Sequence, residues 1–422
     1  MNINFKLSDN YLFIFFLFFV LLMFSSIFVL SYLKIVNIWS FSQAHVNYSE
    51  GFIKRGLFGT LIFFFEEKLY IPTKVFFSSF FMFFYSLNIF LFFILIKKYL
   101  SNKLLFVFIA LSPTLIMFPF NDLGGYQRLD VLSITIILVH ALISQSYYKK
   151  KIDTNVYQKI LFFFIFPFIF ISTLFHEIQL FSLPFHFLVT WNILKGNFFN
   201  TLKKYSIFLI PIYLVFFIYP DPNSIILMDQ NIGGRGIYSS AYLFHTKNIG
   251  WVHYLNEINI NILNFYNLKM HLTMIVFATV PFILILFYFN KLNLLTYNND
   301  VNFKFIFVAI FPFLAGLLIG DFGRWINIMS FAAFAYLSQF PLKDKLEDFK
   351  LYNNEIHKFI VNFVILSLVV FYLFFIRIPH CCSLEKLNIT FHGGIVNKGI
   401  SIIDVFFNSK DGSQFDLDTR FK

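Results

Sequence analysis

The chain has 422 residues, of which 58% are apolar and only 13% are charged, and its formal net charge is +11. Soluble domains average roughly 45–50% apolar and about 25% charged residues. The composition therefore excludes an ordinary soluble protein and indicates an integral membrane protein with no nucleic-acid partner. Two adjacent cysteines, Cys381 and Cys382, exclude a disulfide scaffold and a multi-cysteine metal site.

The first apolar run extends from Tyr11 to Leu33. At about 23 residues it is longer than the apolar core of a signal peptide, which has roughly 7–15 residues. No small-residue cleavage site follows it closely. We therefore predict that this segment is retained as the first membrane span.

Apolar stretches close to the roughly 20 residues that cross a bilayer recur along the chain. They predict an all-α integral membrane protein with about eleven transmembrane helices, within a range of about 10–12, because 160–194 also fits one broken hairpin. The domain would cover residues 1–377, with outer loops 34–74, 121–130 and 220–270, followed by an external tail, 378–422. The predicted spans are 11–33, 75–96, 104–120, 131–148, 160–175, 178–194, 205–219, 271–289, 305–320, 325–340 and 359–376.

The basic residues predict the orientation of the chain. Loops that face the cytoplasm carry an excess of Lys and Arg, and the rule is most reliable for short loops. Over the whole chain the basic residues divide almost evenly between the two sides, but the short loops favour a cytoplasmic N-terminus and an external C-terminus. The loops that are then cytoplasmic contain lysine and no arginine: Lys97–Lys103, Lys149–Lys159, Lys195–Lys204, Asn290–Lys304 and Pro341–Lys358.

All six arginines fall on the predicted outer side. A guanidinium group binds phosphate or carboxylate through two parallel hydrogen bonds, which a lysine cannot do. This distribution favours an outer site for an anionic substrate, although six residues could also be distributed in this way by chance.

The first outer loop places Lys54 and Arg55 between two glycines, with Glu50 just before them, a pattern that suits binding of an anionic head group. The alternative is a basic membrane anchor without a ligand. The next stretch, Leu57–Tyr70, is too short to span comfortably and is expected to lie in or dip into the membrane interface.

The second outer loop places Asp122, Arg128 and Asp130 close together beside the pair Gly124–Gly125, which permits a tight turn. Charged groups at this depth either pair with one another or form a site. Both interpretations, a structural Asp–Arg pair and a substrate site, remain open.

His176 and Glu177 lie between two apolar runs. A histidine can accept a proton from a hydroxyl group while a carboxylate orients its ring. The alternative is a hydrogen-bonded helix cap. His186, a few turns further on, is expected to be a packed core residue.

Two further outer segments contain candidate residues. In 220–270, Arg235 lies within a GGRG sequence that could present N–H groups to phosphate, and His245, Trp251 and His253 are of the types found in sugar-binding clefts and at membrane interfaces alike. In the GDFGRW sequence, Asp321 would face the substrate and Arg324 its phosphate, unless the two bridge each other at i,i+3.

Several activities lack their usual motifs. The sequence contains no HExxH or paired-cysteine pattern, no GxSxG and no dinucleotide fingerprint, so we expect neither a metal nor a cofactor. The predicted spans carry few ionisable residues, His140 being the clearest, which weakens an ion-driven transporter interpretation.

The number of spans, the long outer loop in the second half and the Arg-, Asp- and His-containing outer motifs together resemble bacterial O-antigen and capsule polymerases. The resemblance implies a glycosyltransferase of the bacterial inner membrane that uses a polyprenyl-linked saccharide amid membrane lipid, and that works with other polysaccharide-assembly proteins. It further implies that arginines hold the lipid diphosphate without a metal, the candidates being Arg55, Arg128, Arg235 and Arg324. In the related ligases a histidine acts on the acceptor hydroxyl, and the candidates are His176, His245 and His253.

Three alternatives remain. The long first loop with Glu50 is similar to that of glycosyltransferases that use polyprenyl-monophosphate sugars and carry a catalytic carboxylate there. A flippase or exporter would need a polar path through the bundle. A structural subunit would leave the outer charges paired among themselves.

The orientation leads to a direct test. Reporter fusions after Lys150 and Lys345 should report a cytoplasmic location, and fusions after Asn231 and Asn388 an external one, because the lysine-rich short loops hold their side in the cytosol. A cytoplasmic signal at Asn231 would place the candidate residues on the opposite face and contradict the assignment to lipid-linked polymer synthesis.

Overall fold

The computed structural model describes residues 9–33, 40–41, 45–53, 55–101, 103–121, 126–195, 198–218, 221–233, 322–340, 363–364 and 366–373. Every regular element in these ranges is helical. The elements are α1 (Asp9–Leu33), α2 (Gly56–Leu69), α3 (Thr73–Ile96), α4 (Lys103–Leu111), α5 (Phe118–Asn121), α6 (Asp130–Tyr148), α7 (Thr154–Phe175), α8 (Leu183–Leu194), α9 (Phe198–Tyr205), α10 (Leu209–Phe217), α11 (Pro222–Gly233) and α12 (Phe322–Ser338).

Four described helices are long and apolar enough to cross a membrane: α1 over Asp9–Val29, α3 with the turn that follows it (Thr73–Ser101), α6 and α7. Phe15, Phe18 and Leu22 of α1 are all more than half exposed. Large apolar side chains in such positions are compatible with lipid and unfavourable in water. The chain is therefore an α-helical membrane protein, whereas eleven spans are not confirmed.

Three predicted spans differ from the helices observed. In place of one helix over 104–120, α4 ends at Leu111 and turns lead to the short α5. Pro113 explains the break, since proline lacks an N–H donor and restricts the residue before it. The predicted span 178–194 begins with a 3-10 turn, Glu177–Ser182, before α8, and 205–219 is divided between α9, a second 3-10 turn and α10.

The remaining predictions have mixed outcomes. The spans at 11–33, 75–96, 131–148, 160–175 and 325–340 coincide closely with α1, α3, α6, α7 and α12. The stretch expected at the interface forms α2. Residues 363–364 and 366–373 of the last span are helical, and the spans 271–289 and 305–320 lie outside the described residues.

Helix α6 lies at the centre of the described bundle. All residues from Asp130 to Leu138 are buried, and α6 packs against α3, α8 and α12. The side chain of Asn88 on α3 donates a hydrogen bond of 2.9 Å to the carbonyl oxygen of Val131. A helix that is apolar on every side is stable only when it is enclosed, and the position of α6 satisfies this requirement.

The helices give the bundle two chemically different ends. The first residues of α6 and α12 meet where Asp130 contacts Arg324. At the opposite end Lys98, just after α3, contacts the carbonyl of Ser338 at the end of α12. We call these the arginine end (Arg55, Arg128 and Arg324) and the lysine end (Lys97, Lys98, Lys149 and Lys151). With a rise of 1.5 Å per residue, the 19-residue α6 separates them by about 28 Å.

The packing of α3 against α12 can be tested at Phe92. Its ring is fully buried, with centroids 5.7 and 5.8 Å from those of Phe331 and Phe334. Phe92→Ala should lower the free energy of unfolding by roughly 3 kcal/mol, because a cavity replaces the ring. The control is Phe83→Ala on the same helix, whose side chain is 61% exposed. Thermal unfolding in detergent should show a clear decrease only for Phe92→Ala; equal decreases would contradict this packing.

Candidate functional site

The ion pair between Asp130 and Arg324 is the most buried charged contact at the arginine end. Nε of Arg324 donates to Oδ2 of Asp130 and Nη2 donates to Oδ1, both at 2.6 Å. The two side chains are only 10% and 5% exposed. The sequence had suggested local partners, Asp321 for Arg324 and Arg128 for Asp130, but the observed pair joins residues 194 positions apart. Asp321 and Asp122 lie outside the described residues.

A second ion pair joins Arg55, just before α2, to Glu177 in the turn after α7. Nε of Arg55 donates to Oε2 of Glu177 at 2.8 Å, and Nη2 donates to Oε1. Arg55 adopts a left-handed backbone conformation, with φ of 63°. Residues other than glycine rarely adopt this conformation, and here it begins α2 with the guanidinium group in contact with Glu177. Burial favours the neutral acid, but the Arg55 guanidinium and the nearby His176 hold the pKa of Glu177 well below its usual value.

His176 caps the turn that contains Glu177. Its backbone is extended, and its Nδ1 accepts a hydrogen bond of 3.2 Å from the backbone N–H of Ile178. Because Nδ1 is the acceptor, a neutral ring carries its proton on Nε2. Burial, followed by the charge of Arg55, lowers the pKa of His176 to about 3. The helix-cap interpretation of the sequence is therefore realised, and the ring is neutral at physiological pH.

These groups form one cluster. The charges of Arg55, Glu177, Arg324 and Asp130 all affect the pKa of His176. Beside His176 is a cavity of about 20 Å³, which is room for about one water molecule. Its lining consists of Ser40, Phe58, Phe77, Phe81, Gln127, Arg128, Leu129 and His176. The fold thus brings together six of the residues predicted from separate loops.

The other candidates have different positions. Glu50 is half-buried in the loop before Arg55. The neighbouring Gly51 has φ of 122°, and a Cβ atom there would lie 3.4 Å from Oγ of Ser224, so this loop packs against α11. Lys54, Arg235, His245, Trp251 and His253 lie outside the described residues.

Sequence reasoning missed Gln179. Its Oε1 accepts a 2.6 Å hydrogen bond from Ser133, and its Nε2 donates to the carbonyl of Leu129 at 3.1 Å. This fully buried amide links the His176 turn to the start of α6. Its position two residues after Glu177, within an apolar run, is the signal that could have indicated it.

A separate polar contact lies deeper in the bundle. Nδ1 of His140 and Nδ1 of His186 are 2.8 Å apart, and Nε2 of His140 is 2.7 Å from the hydroxyl of Tyr157. His186 is fully buried, as expected for a core residue. In the part of the chain that the structure describes, no three His, Cys, Asp or Glu side chains are placed to hold a metal ion.

Comparison of the chain with protein-family models, with curated proteins and with solved structures gave no match.

The Arg55–Glu177 contact can be measured with a double-mutant cycle. Arg55→Met should reduce the free energy of unfolding by about 3–5 kcal/mol, because it leaves a buried carboxylate without its counter-charge. Arg55→Met combined with Glu177→Gln should recover much of that loss. As a control, Lys103→Met removes an exposed partner 3.9 Å from Asp9, an interaction that contributes at most about 1 kcal/mol. Additive losses in the double variant would show that the two side chains are not coupled.

Proposed function

We propose that the chain is a membrane glycosyltransferase that polymerises a polyprenyl-diphosphate-linked oligosaccharide into a surface polysaccharide, O-antigen or capsule, at the outer face of the bacterial inner membrane. The observation that supports it is the cluster at the arginine end. Three arginines from separate segments lie there with two carboxylates and a histidine, at one end of an apolar helical bundle.

The reaction that such a cluster would serve has two charge requirements. The bond between the anomeric carbon of the donor and the diphosphate oxygen breaks, and a bond forms from that carbon to the acceptor oxygen. The acceptor hydroxyl gives its proton to a base, and the departing diphosphate gains negative charge. Fixed cationic donors that lie where this charge develops accelerate the reaction, and arginines suit the purpose because their N–H groups match phosphate oxygens.

The geometry divides the arginines between two roles. Arg55 and Arg324 each already bind a carboxylate through two hydrogen bonds, so we assign them to positioning the loops of the site. Arg128 lines the cavity beside His176 and is assigned to the phosphate. Because the cavity accommodates only about one water molecule, neither the diphosphate nor the sugars would bind inside it. We therefore assign the phosphate to Arg128 together with Arg235, and sugar binding to His245, Trp251 and His253 of segment 220–270.

The base is assigned to Glu50 rather than to the His176–Glu177 pair. A general base works best when its pKa is close to the operating pH. The pKa of His176 is lowered to about 3, and that of Glu177 is also lowered, so both are weak proton acceptors. Glu50 lies in the loop that leads to Arg55. This assignment also suits the alternative donor, a polyprenyl-monophosphate sugar, for which a carboxylate in this loop would be the base.

The proposal is tested by genetic complementation. Loss of the gene should remove the long-chain form of one surface polysaccharide and leave the single-repeat form. Arg128→Lys keeps the positive charge but loses the planar guanidinium group with its parallel N–H donors. This variant should restore polymer about 10²-fold less well than the wild type, at equal protein level. Glu50→Gln should lose activity by about 10²–10⁴-fold. Polymer length is read from a gel and protein amount from an immunoblot of membranes.

Lys103→Arg, at the opposite end of the bundle, is the control and should complement fully. Full polymer length with both Arg128→Lys and Glu50→Gln would contradict the assignment. Loss of the single-repeat form together with the long chains would instead indicate export of the lipid-linked substrate.

A further inference from the structure

A cavity at the lysine end is much larger than the one beside His176. Its volume is about 460 Å³, and its lining includes Lys97, Lys98, Lys149 and Lys151 together with Ile94 and Leu142. Pockets that bind small molecules typically have volumes of about 300–1,000 Å³. This cavity is therefore large enough for a small ligand or a lipid head group.

The backbone holds the lysines in place. Nζ of Lys98 donates hydrogen bonds to the carbonyl oxygens of Ser338 and Phe340, at 2.6 and 2.9 Å, which fixes the end of α3 against the end of α12. Lys150 has a left-handed conformation with φ of 57°, and the N–H of Lys151 donates to the carbonyl of Ser146 at 2.9 Å. These features are those of a Schellman turn, which closes α6 and sets the positions of Lys149 and Lys151.

The cavity has an excess of positive charge. Four lysine side chains line it, and among the residues that the structure describes its lining includes no carboxylate. Two acidic residues near this end have other contacts: Asp9 is 3.9 Å from Lys103, and Asp153 accepts from the N–H of Val156 at the start of α7. Like charges repel one another, and so an anion within the cavity would stabilise the arrangement.

One wall of the cavity is apolar. Ile94 and Leu142 belong to α3 and α6, two of the helices that are long and apolar enough to cross a membrane, and Ile94 is 40% exposed. The polar part of the lining, Gln145 and Ser146 with the lysines, lies toward the helix ends. A ligand that fits both parts carries phosphate at one end and hydrocarbon at the other.

We propose that this cavity binds the phosphate-bearing head group of an anionic phospholipid, with an acyl chain along Ile94 and Leu142. Basic pockets between membrane-spanning helices recognise lipid phosphates in this way. The site lies at the opposite end of α6 from the arginine cluster, so the proposal is independent of the glycosyltransferase assignment.

The experiment uses the full-length protein, purified and reconstituted in nanodiscs, with fluorescent phosphatidylglycerol as the probe and phosphatidylcholine as background. The triple variant Lys97→Gln, Lys149→Gln and Lys151→Gln changes three exposed side chains and leaves Lys98 in place. Binding should weaken by about tenfold or more, since each lysine near the surface contributes to attraction for anionic lipid. The matched control, Lys195→Gln, Lys203→Gln and Lys204→Gln, removes the same charge near the same end and should bind normally.

Three outcomes would count against the proposal. Equal weakening in both triple variants would show general surface attraction in place of a site. Displacement of the lipid by millimolar inorganic phosphate, with equal binding of phosphate in lipid-free detergent, would assign the cavity to a soluble phosphate ligand. Unchanged binding in the lining variant would exclude the site, and an unchanged unfolding midpoint would confirm that this variant is folded. If the lining variant unfolds early, the single change Ile94→Asp, which places a charge on the apolar wall, should also abolish the preference for phosphatidylglycerol.

Discussion

The ion pair between Asp130 and Arg324 joins the first turns of α6 and α12, and much of the described structure depends on it. Taking two charges out of water is costly, and only close, well-directed hydrogen bonds offset that cost. The pair meets this condition with two parallel contacts at 2.6 Å. It thereby joins the central helix to α12 at the arginine end, and hydrogen bonds from Ser144 to Gln339 and from Gln145 to the carbonyl of Ser338 join them at the lysine end.

The ion pairs also change the role that can be inferred for the arginines. A guanidinium group suits carboxylate and phosphate equally well, so arginine on one side of a membrane protein does not by itself distinguish a substrate site from a structural contact. In this chain Arg55 and Arg324 bind carboxylates, and Arg128 lines the cavity. Two of the three arginines at this end therefore form structural ion pairs. The catalytic proposal depends on Arg128, Glu50 and the candidates of segment 220–270.

The two ends of the bundle differ in how their charged side chains are arranged. At the arginine end positive and negative side chains alternate in contact, and His176 remains neutral among them because burial and the charge of Arg55 lower its pKa to about 3. At the lysine end four lysine side chains line a cavity, and none of its described lining residues is a carboxylate. The pairing of opposite charges fixes the positions of chain segments at the arginine end, whereas the cavity between the lysines is the basis of the proposed lipid site.

The sequence by itself determined the class of protein and the location of several helices. Largely apolar runs of 18 residues or more predicted α1, α3 and α6 closely, because enclosure in a membrane leaves few other conformations for such a run. It also indicated His176, Glu177, Arg55, Arg128, Asp130 and Arg324 as candidates, since charged residues beside apolar runs require a partner.

Only the tertiary structure decided which partner each one has. Arg324 binds Asp130, 194 positions away, and Arg55 binds Glu177, 122 positions away. Local sequence favoured neighbours in the same loop, because residue type and spacing carry no information about which helix ends meet after packing. The break at Pro113 is a local effect of proline, whereas the turn after His176 is held by contacts of Glu177 and Gln179 with distant segments. The cavity at the lysine end likewise forms only where α3 and α6 end side by side.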